Sequence, residues 1–112
     1  PIPLKSLVEL CAKLPGCAGP TVFPFGAKQI NKVGIVTGSG GFALEACHAS
    51  GIELLISGEP KHEHYHLAQE LGLNAVFAGH YTSERFGVLA LEQKLKMEFK
   101  IETVFIEESS GV

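Results

Sequence analysis

The stretch Lys32-Val33-Gly34-Ile35-Val36-Thr37-Gly38-Ser39-Gly40-Gly41 places an apolar run directly before a cluster of glycines. A run of β-branched residues is typical of a buried strand, and glycine accepts the positive φ angles that a tight turn requires. The residues that follow, from Phe42 to Ser50, are compatible with a short helix that Gly51 ends. The pattern predicts a strand, a turn and a helix, which is the repeating unit of an α/β fold.

The same succession recurs twice in the second half of the chain. A predicted strand at residues 53–56, with the apolar run Leu54-Leu55-Ile56, is followed by the turn Ser57-Gly58-Glu59 and a predicted helix from Pro60 to about Leu71. Another run at residues 74–78 precedes Gly79 and a predicted helix from His80 to about Lys96. The remaining predicted elements are a helix over residues 4–14, a short strand at residues 21–23 and a last strand at residues 102–106.

Short connections between alternating strands and helices favour a parallel sheet with right-handed crossovers. The strands are uninterrupted apolar runs, which is typical when helices cover both faces of a sheet. We therefore predict one α/β domain over residues 1–112, with a mostly parallel sheet and helices on both faces. Because the carboxyl ends of parallel strands share one edge, the turns at residues 38–41, 57–60 and 79–84 should converge there.

Charge is unevenly distributed along the chain. Residues 1–50 carry four lysines against two glutamates, whereas residues 51–112 carry five basic and ten acidic residues and four of the five histidines. An acidic half rich in histidine suits cations, and it gives no electrostatic signal for a nucleic-acid partner. Aspartate is absent from the chain, although it is among the commonest ligands of hard metal ions.

Cysteine usage and hydropathy indicate the compartment. Cys11, Cys17 and Cys47 have no paired spacing, which favours buried thiols in a reducing environment over a disulfide framework or a zinc knuckle. The printed residues show neither the pattern of a signal peptide nor an apolar run of membrane-spanning length. We therefore expect a cytoplasmic protein without a membrane partner.

The first two turns each allow a structural and a functional interpretation. Backbone N–H groups of Gly38, Ser39 and Gly40 at the start of a helix can hold a phosphate or a carboxylate. The turn lacks the third spaced glycine of a dinucleotide motif and the lysine of a P-loop, and a turn that only needs positive φ would have the same composition. Glu59 is either a solvated charge at a helix start or, if the turns converge, a general base or a partner of a metal ligand.

Three histidines alternate in the segment Lys61-His62-Glu63-His64-Tyr65-His66. Their spacing matches no structural zinc motif, and exposed histidines or histidines that donate to a carbonyl would account for it. His62 lies nearest to the preceding turn, so it is the best candidate among the three for a contact with substrate.

His80 and Glu84 lie one helical turn apart at the start of a predicted helix. Imidazole and carboxylate are both ligands of divalent ions, so the pair can form half of a metal site. A contact of Glu84 with His80 or with Arg85 would explain the same spacing. The helix face that carries Glu84 continues with apolar residues and is expected to pack inward: Val88, Leu91 and Leu95.

Taken together, these segments resemble the Nif-three-like family, whose members are also called GTP cyclohydrolase type-two homologs. The resemblance rests on residues 33–41, on residues 51–59 with their Ile-Ser-Gly-Glu loop, and on Gly79-His80-Tyr81-Thr82-Ser83-Glu84 about twenty residues later. Single residues between and after these segments also match: Ala46, Ala68, Gly72, Gly87, Ala90 and Leu91. Residues 1–25 match only loosely.

The resemblance implies a larger protein of two related α/β halves with a dinuclear metal centre between them, of which this chain is the C-terminal half. His80 and Glu84 match the histidine and carboxylate that this half supplies. The adjacent histidine pair and the aspartate of the N-terminal half have no counterpart here, so the site would be incomplete. The family's toroidal hexamers imply a homo-oligomer, with the missing N-terminal half as a further partner.

For the intact protein, the resemblance favours a metal-dependent hydrolase similar to GTP cyclohydrolase, with a pair of zinc, iron, manganese or cobalt ions as cofactors. Glu59 and His62 would be the catalytic residues, acting as partners of the ligands or as proton carriers. A non-catalytic metal-binding, interaction or regulatory protein is the alternative. A nucleotide-binding domain that uses the glycine turn is a third interpretation.

Overall fold

A four-stranded sheet lies at the centre of the computed structural model, which describes all 112 residues. The chain forms six strands: Ile2–Pro3 (β1), Thr21–Pro24 (β2), Gln29–Ile30 (β3), Val33–Val36 (β4), Leu54–Ser57 (β5) and Asn74–Phe77 (β6). Its α-helices are Leu4–Ala12 (α1), Leu44–Ala49 (α2), His62–Leu71 (α3) and His80–Phe99 (α4). A single 3-10 turn at Gly40–Ala43 leads into α2.

The strand order of the sheet is β2-β6-β5-β4. β4, β5 and β6 are parallel, with Leu54 opposite both Val33 and Asn74, whereas β2 is antiparallel to β6. The predicted α/β fold with a mostly parallel sheet is therefore confirmed. A short antiparallel pairing of β1 with β3 was not predicted, because two-residue strands leave no periodic signal in a sequence.

Hydrophobic cores lie on both faces of the sheet, as predicted. Successive strand residues point to opposite faces, so Leu55 joins one cluster with Leu44 and Ala68 from α2 and α3, while Leu54 joins the other with Cys11 from α1. Leu54 and Leu55 are both fully buried. Each contributes about 2 kcal/mol through the removal of apolar surface from water.

The outer strand β4 departs from this rule. Ile35 is 72% exposed, because α1 covers the neighbouring strands but leaves this end of the sheet open. An apolar groove runs beside it, with Leu10, Ile56 and Phe86 among its lining residues. The prediction that helices cover both faces of the sheet therefore holds for β5 and β6, but not for the face of β4 that carries Ile35.

Two predictions about the C-terminal region are wrong. Residues 102–106 form no strand and instead run extended along α4. The face of α4 expected to pack inward is largely open, since Val88 and Leu91 are 58% and 59% exposed. The physical reason is that α4, about 30 Å long at 1.5 Å per residue, is held to the sheet only through its first turn, where Thr82 is buried.

A buried asparagine joins the sheet to the loop that precedes β3. The side chain of Asn74 accepts a hydrogen bond from the N–H of Gly26 (2.9 Å) and donates to the carbonyls of Ala27 (2.7 Å) and Glu53 (3.2 Å). Asn74 is fully buried. The three bonds let a polar side chain occupy the sheet interior at little cost.

The cysteines are free, and two of them are buried as predicted. Burial raises the pKa of Cys11 and of Cys47, so both behave as neutral apolar side chains. None of the four helices is long and apolar enough to cross a lipid bilayer.

Candidate functional site

The three turns predicted to converge are joined by backbone hydrogen bonds. The N–H groups of Gly58 and Glu59 both donate to the carbonyl of Gly38, over 2.9 and 3.0 Å, and the N–H of Gly79 donates to the carbonyl of Gly58 over 2.8 Å. Gly38 and Gly79 have positive φ angles of 67° and 112°, which glycine adopts without strain. The glycines therefore allow three strand ends to approach one another as a single junction.

Serine side chains complete this junction. Ser83 accepts a hydrogen bond from the N–H of Gly38 (2.8 Å), and Ser57 accepts one from the N–H of Gly40 (2.9 Å) while donating to the carbonyl of Gly38 (3.2 Å). Two N–H groups of the predicted anion site are thus already satisfied within the chain, so an anion would have to compete with these serines. The roles of Ser57 and Ser83 were not predicted, although both residues belong to segments that carry the candidate site residues.

His80 lies between two carboxylates. Its Nδ1 atom is 2.8 Å from Oε1 of Glu59, and its Nε2 atom is 3.2 Å from Oε2 of Glu84. The hydroxyl of Ser39 donates to the same oxygen of Glu59 over 2.7 Å. Ser39, Glu59, His80 and Glu84 therefore form one connected polar cluster, all partly exposed at the carboxyl edge of the sheet.

The charges of this cluster support one another. The hydrogen bond to Glu59 raises the pKa of His80, and the negative charges of Glu84 and Glu59 act in the same direction against partial desolvation. In return, the hydrogen bonds from His80 and Ser39 lower the pKa of Glu59. The favoured state near neutral pH is therefore an ionised Glu59 that accepts a proton from Nδ1 of His80.

The His80–Glu59 pair makes a pH-dependent contribution to stability. A raised imidazole pKa stabilises the fold below the unfolded-state pKa of histidine, and this contribution disappears as pH rises through the raised value. A lowered carboxyl pKa stabilises the fold above the unfolded-state pKa of glutamate, and this contribution disappears as pH falls through the lowered value. Both contributions are fully present between the unfolded-state pKa of glutamate and the unfolded-state pKa of histidine. We expect the metal-free protein to show its highest urea midpoint in this pH range.

Urea denaturation in the presence of a chelator, from about pH 3 to about pH 9, covers the ordinary range of both groups. In Glu59→Gln, the part of the pH dependence that the Glu59–His80 pair contributes should vanish at both the acid and the alkaline end of this range. The exposed Glu63 makes no side-chain hydrogen bond or ion pair, so Glu63→Gln should retain the wild-type profile. Identical profiles for Glu59→Gln and the wild type would contradict the expectation.

The cluster fits part of a metal site. The two ring nitrogens of His80 point in different directions, so Glu59 and Glu84 cannot share one metal ion with the ring. No group of three or more histidine, cysteine, aspartate or glutamate side chains in this chain could hold a metal ion. On the Nε2 side, a Cβ atom at Gly38 would lie 2.6 Å from Oε1 of Glu84 and 3.3 Å from Nε2, so the glycine leaves this space open.

The arrangement thus resembles a common one in metal centres, in which a histidine binds the ion through one ring nitrogen and donates its other N–H to a carboxylate. His80 Nε2 and Glu84 have the right chemistry for ligands, and Glu59 for the partner that fixes the ring. A cavity of about 220 Å³ opens next to Glu59, between the turn at Gly58 and the loop at Gly16 and Gly19.

The alternating histidines of α3 have separate roles. His64 is buried, and its Nδ1 atom accepts the N–H of Lys61 over 2.9 Å, which caps the start of the helix. His62 is exposed at the first residue of α3, with its ring against that of His66 at a centroid distance of 5.6 Å. No hydrogen bond or ion pair joins His62 to Glu59, His80 or Glu84, so His62 is not part of the polar cluster.

Comparison with known proteins gives a consistent result. Residues 1–111 match the family described as Duf34/NIF3 (NGG1p interacting factor 3). A curated relative from Archaeoglobus fulgidus, named GTP cyclohydrolase 1 type 2 homolog, is 49% identical over 88% of this chain and 39% of its own length. A relative of the same name from Pyrococcus horikoshii is 36% identical over the whole chain and 44% of its own length.

Solved structures agree with this result. TTHA1606 from Thermus thermophilus superposes with a TM-score of 0.90 at 36% identity, over all of this chain and 45% of its own length. The protein ybgI, of unknown function, superposes with a TM-score of 0.91 at 25% identity, again over 45% of its length. The chain spans less than half the length of these relatives, and it belongs to the Duf34/NIF3 family.

Proposed function

We propose that this chain contributes His80 and Glu84 to the dinuclear metal centre of a larger metal-dependent hydrolase. The observation that carries the proposal is the approach of His80 Nε2 to Glu84 over 3.2 Å, beside the space left by Gly38, with the other ring nitrogen already held by Glu59. The name GTP cyclohydrolase 1 type 2 homolog, borne by relatives, points to a nucleotide-like substrate.

The residues of this chain have distinct parts in that function. Divalent ions such as zinc, iron, manganese or cobalt would supply Lewis acidity and lower the pKa of bound water. In the neutral ring, Glu59 accepts Nδ1–H of His80, which leaves the lone pair on Nε2 and would direct it at a bound ion. Ser39 holds Glu59 in turn. Glu59 also borders the 220 Å³ cavity, where it can take a proton from a bound substrate or water.

The remaining ligands must come from elsewhere, since this chain has no Asp and no third ligand at the site. We propose that a second α/β half supplies them. An assembly of several copies in the cytoplasm is the quaternary arrangement that goes with this proposal. The relatives' greater length is consistent with it, because more than half of each lies outside the region matched here.

The experiment is metal analysis of a full-length protein that carries this sequence. We expect about two divalent ions per chain, in keeping with a dinuclear hydrolytic centre, and loss of at least one in His80→Ala and in Glu84→Gln. His48→Ala is the matched control, because His48 is exposed on α2 and its side chain makes no hydrogen bond or ion pair. Equal metal content in all four proteins would exclude His80 and Glu84 as ligands.

A non-catalytic metal-binding protein is the second candidate, and the incomplete ligand set of this chain favours it. A site that forms only when two polypeptide segments meet can organise an assembly or report metal supply. Steady-state assays with nucleoside triphosphates and simple phosphoesters, with and without added metal, distinguish the two candidates. Turnover no higher than that of a His80→Ala/Glu84→Gln double variant would favour the non-catalytic role.

A further inference from the structure

The C-terminal segment, residues 101–112, is attached to α4 through alternate side chains. Thr103 donates a hydrogen bond to Glu92 over 2.8 Å, the ring of Phe105 lies 5.5 Å from the Arg85 guanidinium, and Glu107 is paired with Arg85 over 2.7 Å. The side chains between these contacts are largely open to solvent, since Val104 and Ile106 are 78% and 77% exposed. The segment therefore presents one side to the helix and the other to solvent.

The segment continues to the very start of α4. The N–H of Glu108 donates to the hydroxyl of Tyr81 over 3.3 Å, and the N–H of Tyr81 donates to the carbonyl of Val112 over 3.0 Å. This second bond satisfies one of the free N–H groups of the first helical turn. The C-terminal segment thus contacts α4 from Glu92 back to its second residue.

The two α4 residues that bind most of the C-terminal segment each directly follow a candidate metal ligand in sequence. His80 and Glu84 form one pair at i and i+4, and Tyr81 and Arg85 form a second pair one residue further along. Successive residues of a helix are about 100° apart around its axis, so the two pairs lie on adjacent faces. The polar cluster holds one face of α4, and the C-terminal segment holds the other.

Beyond its first turn, few other contacts restrain this helix. No strand or other helix makes more than a weak contact with α4, and most of its length beyond Thr82 is partly or fully exposed. The rotation of α4 about its axis therefore depends on its first turn, where Thr82 is buried and Ser83 accepts the N–H of Gly38, and on the contacts with the polar cluster and the C-terminal segment on adjacent faces. A rotation of a few degrees would change the distance from His80 to Glu59 and from Glu84 to the open space at Gly38.

We propose that the C-terminal segment is a clamp that orients α4 and thereby holds His80 and Glu84 in position, with Arg85 as the positioning residue. Arg85 suits this role because its side chain is only 13% exposed and its Nε atom is buried without a hydrogen-bond partner. Its positive charge is stabilised by the carboxylate of Glu107 and by the ring of Phe105. Loss of Glu107 would leave a buried charge unpaired, which is costly, so Arg85 would move toward water and release α4.

The proposal concerns the geometry of the site and does not require a bound metal. It is tested on the 112-residue protein with chelator present, by recording the ring-nitrogen and ring-proton NMR resonances of His80 at one neutral pH. Deletion of residues 103–112 removes the clamp outright. We expect the Nδ1 resonance to lose the signature of its hydrogen bond to Glu59 and to approach the value of free imidazole.

Point variants separate orientation from general stability. Arg85→Glu should shift the His80 resonances in the same direction, and the charge-reversed pair Arg85→Glu/Glu107→Arg should restore them. Glu102→Gln is the control, because Glu102 lies in the same segment and makes no hydrogen bond or ion pair. A purely stabilising segment would change the thermal midpoint without changing the His80 resonances.

Two results would overturn the clamp. One is a set of wild-type His80 resonances in the deletion variant, with the fold intact by circular dichroism. The other is a shift in Arg85→Glu that the charge-reversed pair fails to restore. Failure of the metal proposal would leave both readouts unaffected, since they are recorded without metal.

Discussion

Replacing Gly58 by alanine is expected to destabilise the domain by about 3 kcal/mol, the upper end of the range for added bulk in a packed site. A Cβ atom at this position would lie 2.5 Å from the carbonyl oxygen of Gly38 and 2.9 Å from Cα of His80. Both are backbone atoms, so neither can move aside without separating two of the three turns. The junction that holds Glu59 opposite His80 would therefore open.

The measurement is the free energy of unfolding from urea denaturation of Gly58→Ala and the wild type. Gly87→Ala is the matched control, because a Cβ atom there has no neighbour within 4 Å and the position lies inside α4. Alanine in a helix interior is favoured over glycine by up to about 1 kcal/mol, so the control should be slightly more stable. A Gly58→Ala protein as stable as Gly87→Ala would show that the turns are not tightly packed.

Asn74→Ala is expected to cost about 3 kcal/mol, because three backbone groups lose their partner inside the protein. The N–H of Gly26 and the carbonyls of Ala27 and Glu53 all bond to this side chain. A buried polar group left without a partner costs about 1–3 kcal/mol, and some of the three groups will find water. The loop at Gly26 and Ala27 should therefore separate from β6.

Urea denaturation, combined with hydrogen exchange at the amide of Gly26, tests this expectation. The Gly26 amide should lose its protection in Asn74→Ala while the amides of β5 retain theirs. Gln69→Ala is the control, because Gln69 is exposed on α3 and its side chain makes no hydrogen bond. A change in stability no larger than that of Gln69→Ala would mean that water replaces all three bonds.

The convergence of the site could be predicted from the sequence because it follows from the order of elements. Once residues 33–36, 54–57 and 74–77 are parallel strands, the turns after them must share an edge. This rule alone predicts that Gly38, Glu59 and His80 lie at the same edge of the sheet. The hydrogen bonds among these residues could not be predicted, because hydrogen bonds depend on interatomic distances that the order of strands does not fix.

The predictions that failed have a common physical cause. A sequence pattern does not show which other part of the protein a segment contacts. Residues 102–106 have strand propensity, yet propensity does not supply a partner strand, and Arg85 and Glu92 of α4 bind this segment instead. His64 shares the spacing of its neighbours but is buried as a helix cap. Val88 and Leu91 have the periodicity of a buried face, and periodicity does not reveal whether anything packs against it.

The two outer strands of the sheet differ in their protection against intermolecular pairing. β2 ends in Pro24, which offers no N–H to a further strand, and such residues are common at protected sheet edges. β4 has the sequence Val33-Gly34-Ile35-Val36, with no charge and no proline, and exposes Ile35. An unprotected apolar edge is a template for cross-β association, so concentrated solutions of this polypeptide are expected to aggregate through β4 rather than through β2.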